Sequence, residues 1–129
     1  MEKKLDLTQA EWLLMEKLWA QSPQTGRELT CAMQVQTGWS RSTTLTLLRR
    51  LTEKGAVRCG VQGKTTVFLP AVARADAAAQ QTRDLLGRVY HGSLSLLVSA
   101  MTQQQALPQA EIDELYALLR DMEEKQRHD

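Results

Sequence analysis

Apolar side chains recur at helical spacing in two segments near the start of the chain. The first segment follows Thr8, which stands three residues before Glu11, and the second follows Thr25, three residues before Glu28. Each pair is typical of a capping box, in which two side chains satisfy backbone N–H groups at a helix start. The pattern therefore predicts two helices, with apolar stripes at Trp12, Leu14, Met15, Leu18 and Trp19 and then at Leu29, Ala32, Met33 and Val35.

A third helix is predicted over residues 41–54, with Ser40 as its N-cap and Gly55 just beyond its end. If Leu48 is the centre of the buried face, helical rotation places Thr44, Leu45 and Leu51 beside it and Leu47 at the margin. The opposite face then carries Ser42, Thr43, Thr46, Arg49, Arg50 and Glu53. Because threonine lowers helix propensity, the three threonines at 43, 44 and 46 indicate a function for this segment.

Two β-prone stretches follow the third helix, beginning at Ala56 and ending at Pro70, and they flank a turn that contains Gly63. This arrangement predicts a β-hairpin with Lys64 and Thr65 at its tip. Three helices followed by a basic hairpin predict a winged helix-turn-helix, which we assign to residues 1–72 as a DNA-binding domain. The fold class is therefore mostly α.

Residues 73–129 return to a helical pattern, interrupted at Gly92 and again at Pro108, which we expect near the first position of the last helix. The helices hold about fifty residues, too few to close a core alone. We therefore expect a helical dimerisation region in which two copies of the chain bury each other's apolar stripes. The expected contacts are Leu85, Leu86, Val89, Leu94, Leu97, Met101, Leu115, Leu118, Leu119 and Met122.

The net charge of +1 conceals an uneven distribution along the chain. Residues 1–75 carry 11 basic and 6 acidic side chains, whereas residues 76–129 carry 5 basic and 9 acidic ones. Within residues 39–75, seven basic side chains stand against Glu53 alone. Such a block is typical of a nucleic-acid face.

Candidate DNA contacts follow from this charge block and from the outward face of the third helix. Ser42, Thr43 and Thr46 are expected to reach base edges, because the N-terminal end of such a helix enters the major groove. Phosphate contacts are expected from Arg41, Arg49, Arg50 and Lys54. Lys64 and Thr65 at the tip of the wing are expected to lie along the backbone or in the minor groove. The alternative for each is an ordinary solvated surface.

The sequence was also searched for catalytic motifs, metal ligands and reactive cysteines. No nucleophile elbow, phosphate-binding glycine loop or metalloprotease motif is present, so nothing in the sequence argues for an enzyme or a cofactor. His91 and His128 lack partners at metal-ligand spacing, so no metal is expected. Cys31 and Cys59 are interpreted as unrelated thiols, with a redox pair left open. The N-terminus lacks an apolar signal core, and a cytoplasmic location is expected.

The chain resembles the penicillinase-repressor family of bacterial transcriptional regulators over nearly its whole length. The residues that carry the resemblance are Leu7-Thr8-Gln9-Ala10-Glu11-Trp12, Leu18-Trp19, Trp39-Ser40, Thr43, Thr46-Leu47-Leu48, Arg50-Leu51, Lys54-Gly55, Gly63-Lys64, Phe68, Pro70 and Gly92-Ser93-Leu94, with weaker similarity from Leu107 to Leu119. The resemblance implies a homodimer that places one winged helix on each half of a palindromic operator, with the C-terminal helices forming the dimer. Double-stranded operator DNA and a second copy are the implied partners, and a regulatory protease is a further candidate.

Three departures from the family bear on signalling. Residues 60–129 contain no cysteine, so the four-cysteine cluster of copper-responsive relatives is missing. Ala100-Met101 stands where β-lactam-responsive relatives have the Asn-Phe bond at which they are cleaved. Arg41 replaces the proline that often follows Trp-Ser.

Two functional hypotheses follow. In the first, the protein is a repressor that binds an operator as a homodimer and is released by an unidentified signal, with proteolysis one candidate. In the second, the winged helix is a protein-interaction module without sequence-specific DNA binding. An interaction module is expected to expose apolar residues on the third helix, whereas this sequence predicts threonines and basic residues there.

Overall fold

The computed structural model describes residues 5–128. The order of elements is α1 (Gln9–Ala20), β1 (Gln24–Thr25), α2 (Gly26–Thr37), α3 (Arg41–Lys54), β2 (Val57–Gln62), β3 (Thr65–Pro70), α4 (Arg74–Val89), α5 (Leu94–Gln104) and α6 (Gln109–Arg127). The mostly helical winged-helix prediction is confirmed. The chain divides into two compact units, the first ending at Asp84 and the second beginning at Leu85.

The predicted helix ends are set by local hydrogen bonds. Thr8 with Glu11 and Thr25 with Glu28 both form complete capping boxes at the starts of α1 and α2. The Ser40 hydroxyl accepts a hydrogen bond from the backbone N–H of Thr43 at the start of α3. Beyond the end of α3, Gly55 adopts a left-handed φ of 85°, which glycine reaches without a steric penalty.

The core of the first unit is formed by α1, α2 and α3, and it corrects two predicted positions. In α3 the buried residues are Thr44, Leu47, Leu48 and Leu51. Their spacing defines a single helical stripe that includes Leu47 and leaves Leu45 37% exposed. Val35 was predicted on the apolar face of α2 but is 89% exposed, because it lies far around the helix from Leu29 and Met33.

The sheet has three antiparallel strands in the order β1-β3-β2. Gln62 pairs with Thr65, so the hairpin turn consists of Gly63 and Lys64. Gly63 has a φ of 64°, as the first central residue of a type II′ turn requires. Strand β1 was not predicted, because two residues are too few to show an alternating pattern.

The segment between the wing and α4 packs against α1. The Trp19 indole Nε1 donates a hydrogen bond of 2.9 Å to the carbonyl oxygen of Val72. The guanidinium of Arg74 lies 2.8 Å from the carboxylate of Glu16 and stacks over the Trp12 ring. Ala77, one turn into α4, is buried. The first half of α4 therefore belongs to the first compact unit, whereas the predicted boundary between residues 72 and 73 separates expected functions and stays a prediction.

The second unit contains the end of α4 together with α5 and α6. Helix α5 begins at Ser93, whose hydroxyl accepts a hydrogen bond from the N–H of Leu96. Pro108 is the N-cap of α6, directly before the first helical residue and thus near the expected position, and its extended backbone (φ −61°, ψ 150°) is that of a cap. Within the described residues of α5 and α6, no side chain is buried.

Candidate nucleic-acid interface

Hydroxyl side chains gather at the N-terminal end of α3, as predicted. Ser42 and Thr43 are exposed, and Thr46 is half-buried one turn further on. The Ser40 hydroxyl oxygen lies 3.1 Å from that of Ser42 and 3.0 Å from that of Thr43. The helix cap therefore fixes these hydroxyls in a cluster on the exposed face, where each can still exchange hydrogen bonds with a ligand.

Exposed basic side chains stand on α3 and on the wing. Arg41 is exposed in the first turn of α3, and Arg49 and Arg50 are exposed two turns later. Lys64 lies in the two-residue turn of the wing, and the exposed Thr65 follows it as the first residue of β3. These residues provide positive charge on α3 and at the wing tip, as the charge block predicts.

Lys54, a predicted phosphate contact, forms an ion pair within the fold. Its ammonium group lies 2.6 Å from a carboxylate oxygen of Glu11 and donates a 2.7 Å hydrogen bond to the carbonyl oxygen of Asp6. The Glu11 side chain is 1% exposed, and its carboxylate also accepts the N–H of Thr8. The ion pair therefore joins the start of α1 to the end of α3, and the buried carboxylate of Glu11 offsets the charge of Lys54.

The Glu11 carboxyl carries the perturbed pKa of this region. Burial raises its pKa, but hydrogen bonds from Lys54 and Thr8 outweigh burial and hold the pKa below its usual 4.5. The group is therefore ionised at neutral pH, which maintains the ion pair.

Arg27 is a basic residue that the sequence analysis missed. With Arg41 it lines a cleft between α2 and the start of α3, whose other lining residues are Thr30, Cys31 and Gln34. Arg27 lies outside the basic block of residues 39–75 and is followed directly by Glu28, so local charge did not single it out. Its position in the first turn of the second helix was the signal that could have found it, because the first helix of a helix-turn-helix crosses the DNA backbone.

Cys31 and Cys59 are both free and exposed. Among residues 5–128, His, Cys, Asp and Glu side chains nowhere gather in the groups of three that could hold a metal ion. In the same part of the chain, no helix combines the length and apolar character needed to cross a membrane.

Known proteins resemble this chain over nearly its whole length. The sequence profile of a family described as "Penicillinase repressor" matches residues 7–121. The penicillinase repressor of Bacillus licheniformis is 28% identical over 127 residues, which cover 98% of this chain and 99% of the relative. The methicillin resistance regulatory protein MecI of Mammaliicoccus sciuri is 27% identical over 117 residues, covering 91% of this chain and 95% of MecI.

A solved structure is similar to the winged-helix part. It is the solution structure of the monomeric form of Bacillus licheniformis BlaI in complex with the blaP half-operator. The match has a TM-score of 0.52 and 29% identity, and it covers 59% of this chain and 93% of that chain.

Proposed function

Because the chain belongs to the penicillinase repressor family, we propose that it is a transcriptional repressor that binds operator DNA through its winged helix. The observation that carries the proposal is the exposed hydroxyl cluster of α3, flanked by basic residues, on a fold shared with a half-operator-bound relative. The family is one of repressors, which favours a regulatory role over an enzymatic one. We place the protein in the cytoplasm with the DNA.

The proposed contacts divide by chemistry. Ser42, Thr43 and Thr46 read base edges in the major groove, since hydroxyls can both donate to and accept from bases. Arg41, Arg49 and Arg50 neutralise phosphates, and Arg27 joins them because it shares a cleft with Arg41. Lys64 and Thr65 bring the wing to the backbone. Lys54 is left out because its ammonium group pairs with Glu11.

The test is equilibrium binding of the full chain to a duplex selected by the protein from a random pool, measured at several salt concentrations. Each neutralised phosphate releases counterions, so the slope of log affinity against log salt should be about −0.9 per contact. An unrelated duplex of equal length is the control and should bind far more weakly. Failure to select any sequence, with a slope near zero, would favour the protein-interaction module instead.

We further propose that the repressor is a homodimer formed by the second unit. Ten apolar side chains were predicted as dimer contacts, and none of them is buried within the single chain. Leu85, Val89, Leu94, Met101, Leu118, Leu119 and Met122 are among the large exposed hydrophobic residues, whereas Leu86, Leu97 and Leu115 are half-buried. A second copy would remove this apolar area from water, at about 25 cal/mol per Å². It would also make the second half-site contact effectively intramolecular.

The dimer is tested by substitutions that leave the single chain intact. Leu118→Lys with Leu119→Lys should shift the sedimentation coefficient of the full chain to that of a monomer and weaken binding to the whole operator. Gln126→Lys adds positive charge to an exposed position of the same helix and serves as the control. If the wild-type chain stays monomeric at micromolar concentration, the dimer proposal is wrong.

A signal that separates the two copies would release the operator, whether it is proteolytic or chemical. The Ala100-Met101 bond lies inside helix α5. A regulatory protease acting at this bond would need local unfolding of α5, because a peptide bond within an intact helix does not reach the extended conformation that cleavage requires. We propose the second unit as the target of the signal, with the protease as one candidate.

A further inference from the structure

One apolar side chain interrupts the polar face of α3. Leu45 lies one turn after Ser42 and one turn before Arg49, and it is adjacent to Thr46. These four positions follow the i, i+3, i+4, i+7 spacing that defines one stripe on a helix surface. Leu45 is 37% exposed and stands outside the buried stripe of α3. It therefore lies within the surface proposed to enter the major groove.

The Leu45 side chain packs against the start of α2. Its Cδ2 methyl lies 3.7 Å from the point where a Cβ atom on Gly26 would stand, and a ring carbon of Phe68 lies 3.6 Å from the same point. Both distances are those of ordinary van der Waals contact, so Leu45 and Phe68 lie against the backbone at the start of α2. One part of the Leu45 side chain is thus packed between neighbouring elements while more than a third of its surface remains free for contact.

We propose that Leu45 contacts the C5-methyl group of a thymine in each operator half-site and so helps to determine sequence preference. The proposal rests on the proposed function of the winged helix. Thymine alone presents a methyl group in the major groove, and an apolar side chain recognises it by excluding water from both surfaces. Thr46 on the same stripe also has a methyl group that can touch a thymine methyl, but Leu45 offers the larger apolar surface.

The experiment removes the methyl group from the DNA and the side chain from the protein. The probe is the synthetic duplex selected by the full-length protein, with each thymine replaced in turn by deoxyuridine, which differs only in lacking the methyl. At the contacted position the wild-type protein should bind about three- to fivefold more weakly, the effect of losing one buried methyl group. Leu45→Ala should weaken binding to the thymine duplex and show no further loss on the deoxyuridine duplex.

Two controls separate base contact from structural damage. Leu45→Met keeps an apolar side chain and should retain the deoxyuridine penalty. Val35→Ala truncates a more exposed apolar residue on α2, outside the proposed interface, and should leave binding to every duplex unchanged. Leu45→Ala should lose some thermal stability because part of its side chain is packed, but it should remain folded at the assay temperature and bind an unrelated duplex as the wild type does.

The binding results separate a failure of the Leu45 contact from a failure of the proposed DNA-binding function. A protein that selects no duplex contradicts the proposed function itself. If a selected duplex binds tightly but no deoxyuridine substitution weakens it, or if Leu45→Ala leaves the penalty unchanged at every thymine, the Leu45 contact alone is overturned.

Discussion

Replacing Lys54 with methionine should destabilise the winged helix without removing a DNA contact. The substitution keeps the apolar stem and deletes the charge that pairs with Glu11 at 2.6 Å. The Glu11 carboxylate would then remain in a site where its side chain is 1% exposed, with Thr8 as its remaining donor among the described residues. A buried charge without its counter-charge favours the unfolded state, in which water solvates it.

The magnitude follows from the burial of the two partners. Breaking a fully buried ion pair by removing one side costs about 3–5 kcal/mol. The Lys54 side chain is 35% exposed, so solvent screens the interaction and lowers its worth. We expect the free energy of unfolding to fall by about 2 kcal/mol, which corresponds to a Tm lower by about 10 °C for a unit of this size.

The assay compares unfolding and DNA binding for two lysine variants. Lys54→Met should lower the Tm and leave the salt dependence of operator binding unchanged. Lys64→Met, in the exposed turn of the wing, should leave the Tm unchanged and reduce the salt slope by about 0.9, the loss of one phosphate contact. The reasoning is refuted if Lys54→Met melts like the wild type and its salt slope falls by about one unit.

The pH dependence provides an independent check on the same ion pair. The pKa of Glu11 is lower in the folded chain than its usual 4.5. Such a carboxyl stabilises the fold fully at pH values above its unfolded pKa and loses that contribution as the pH falls through the folded value. The contribution of the Glu11 carboxyl to the stability of the wild type should therefore be complete at pH 7 and shrink below about pH 4.5, as urea denaturation at several pH values would show.

Three further predictions concern the interface and the core. Thr46→Ala should reduce discrimination between operator and random duplexes by about 1–3 kcal/mol, whereas Arg50→Ala should weaken binding to both duplexes evenly, as competitive titrations would show. Thr44→Val should raise the free energy of unfolding by about 1 kcal/mol, because the buried Thr44 hydroxyl has no hydrogen-bond partner among the described residues. Urea denaturation measures this change, and a loss of stability would contradict the reasoning. Trp19→Phe should lower the free energy of unfolding by about 1 kcal/mol by leaving the carbonyl of Val72 without its indole donor, and an unchanged denaturation midpoint would show that water replaces the bond.

Much of the first unit was predictable because its helix ends depend on residues close in sequence. The capping boxes at Thr8 and Thr25 each join residues three positions apart, so their spacing identifies the helix starts directly. The same holds for Gly55 at the end of α3 and for the two-residue turn at Gly63. The hydroxyl cluster of the candidate interface is likewise local, since Ser40 caps the helix that carries it.

The sequence by itself thus determined the helices, the hairpin and the polar face of α3, because short-range hydrogen bonds and periodicity fix these features. The tertiary structure alone decided where the margins of the buried face of α3 lie. Those margins depend on how α1 and α2 pack, and this packing buried Leu47 and left Leu45 exposed. It also decided the partner of Lys54, because Glu11 is 43 residues away along the chain and only folding brings the two charges together.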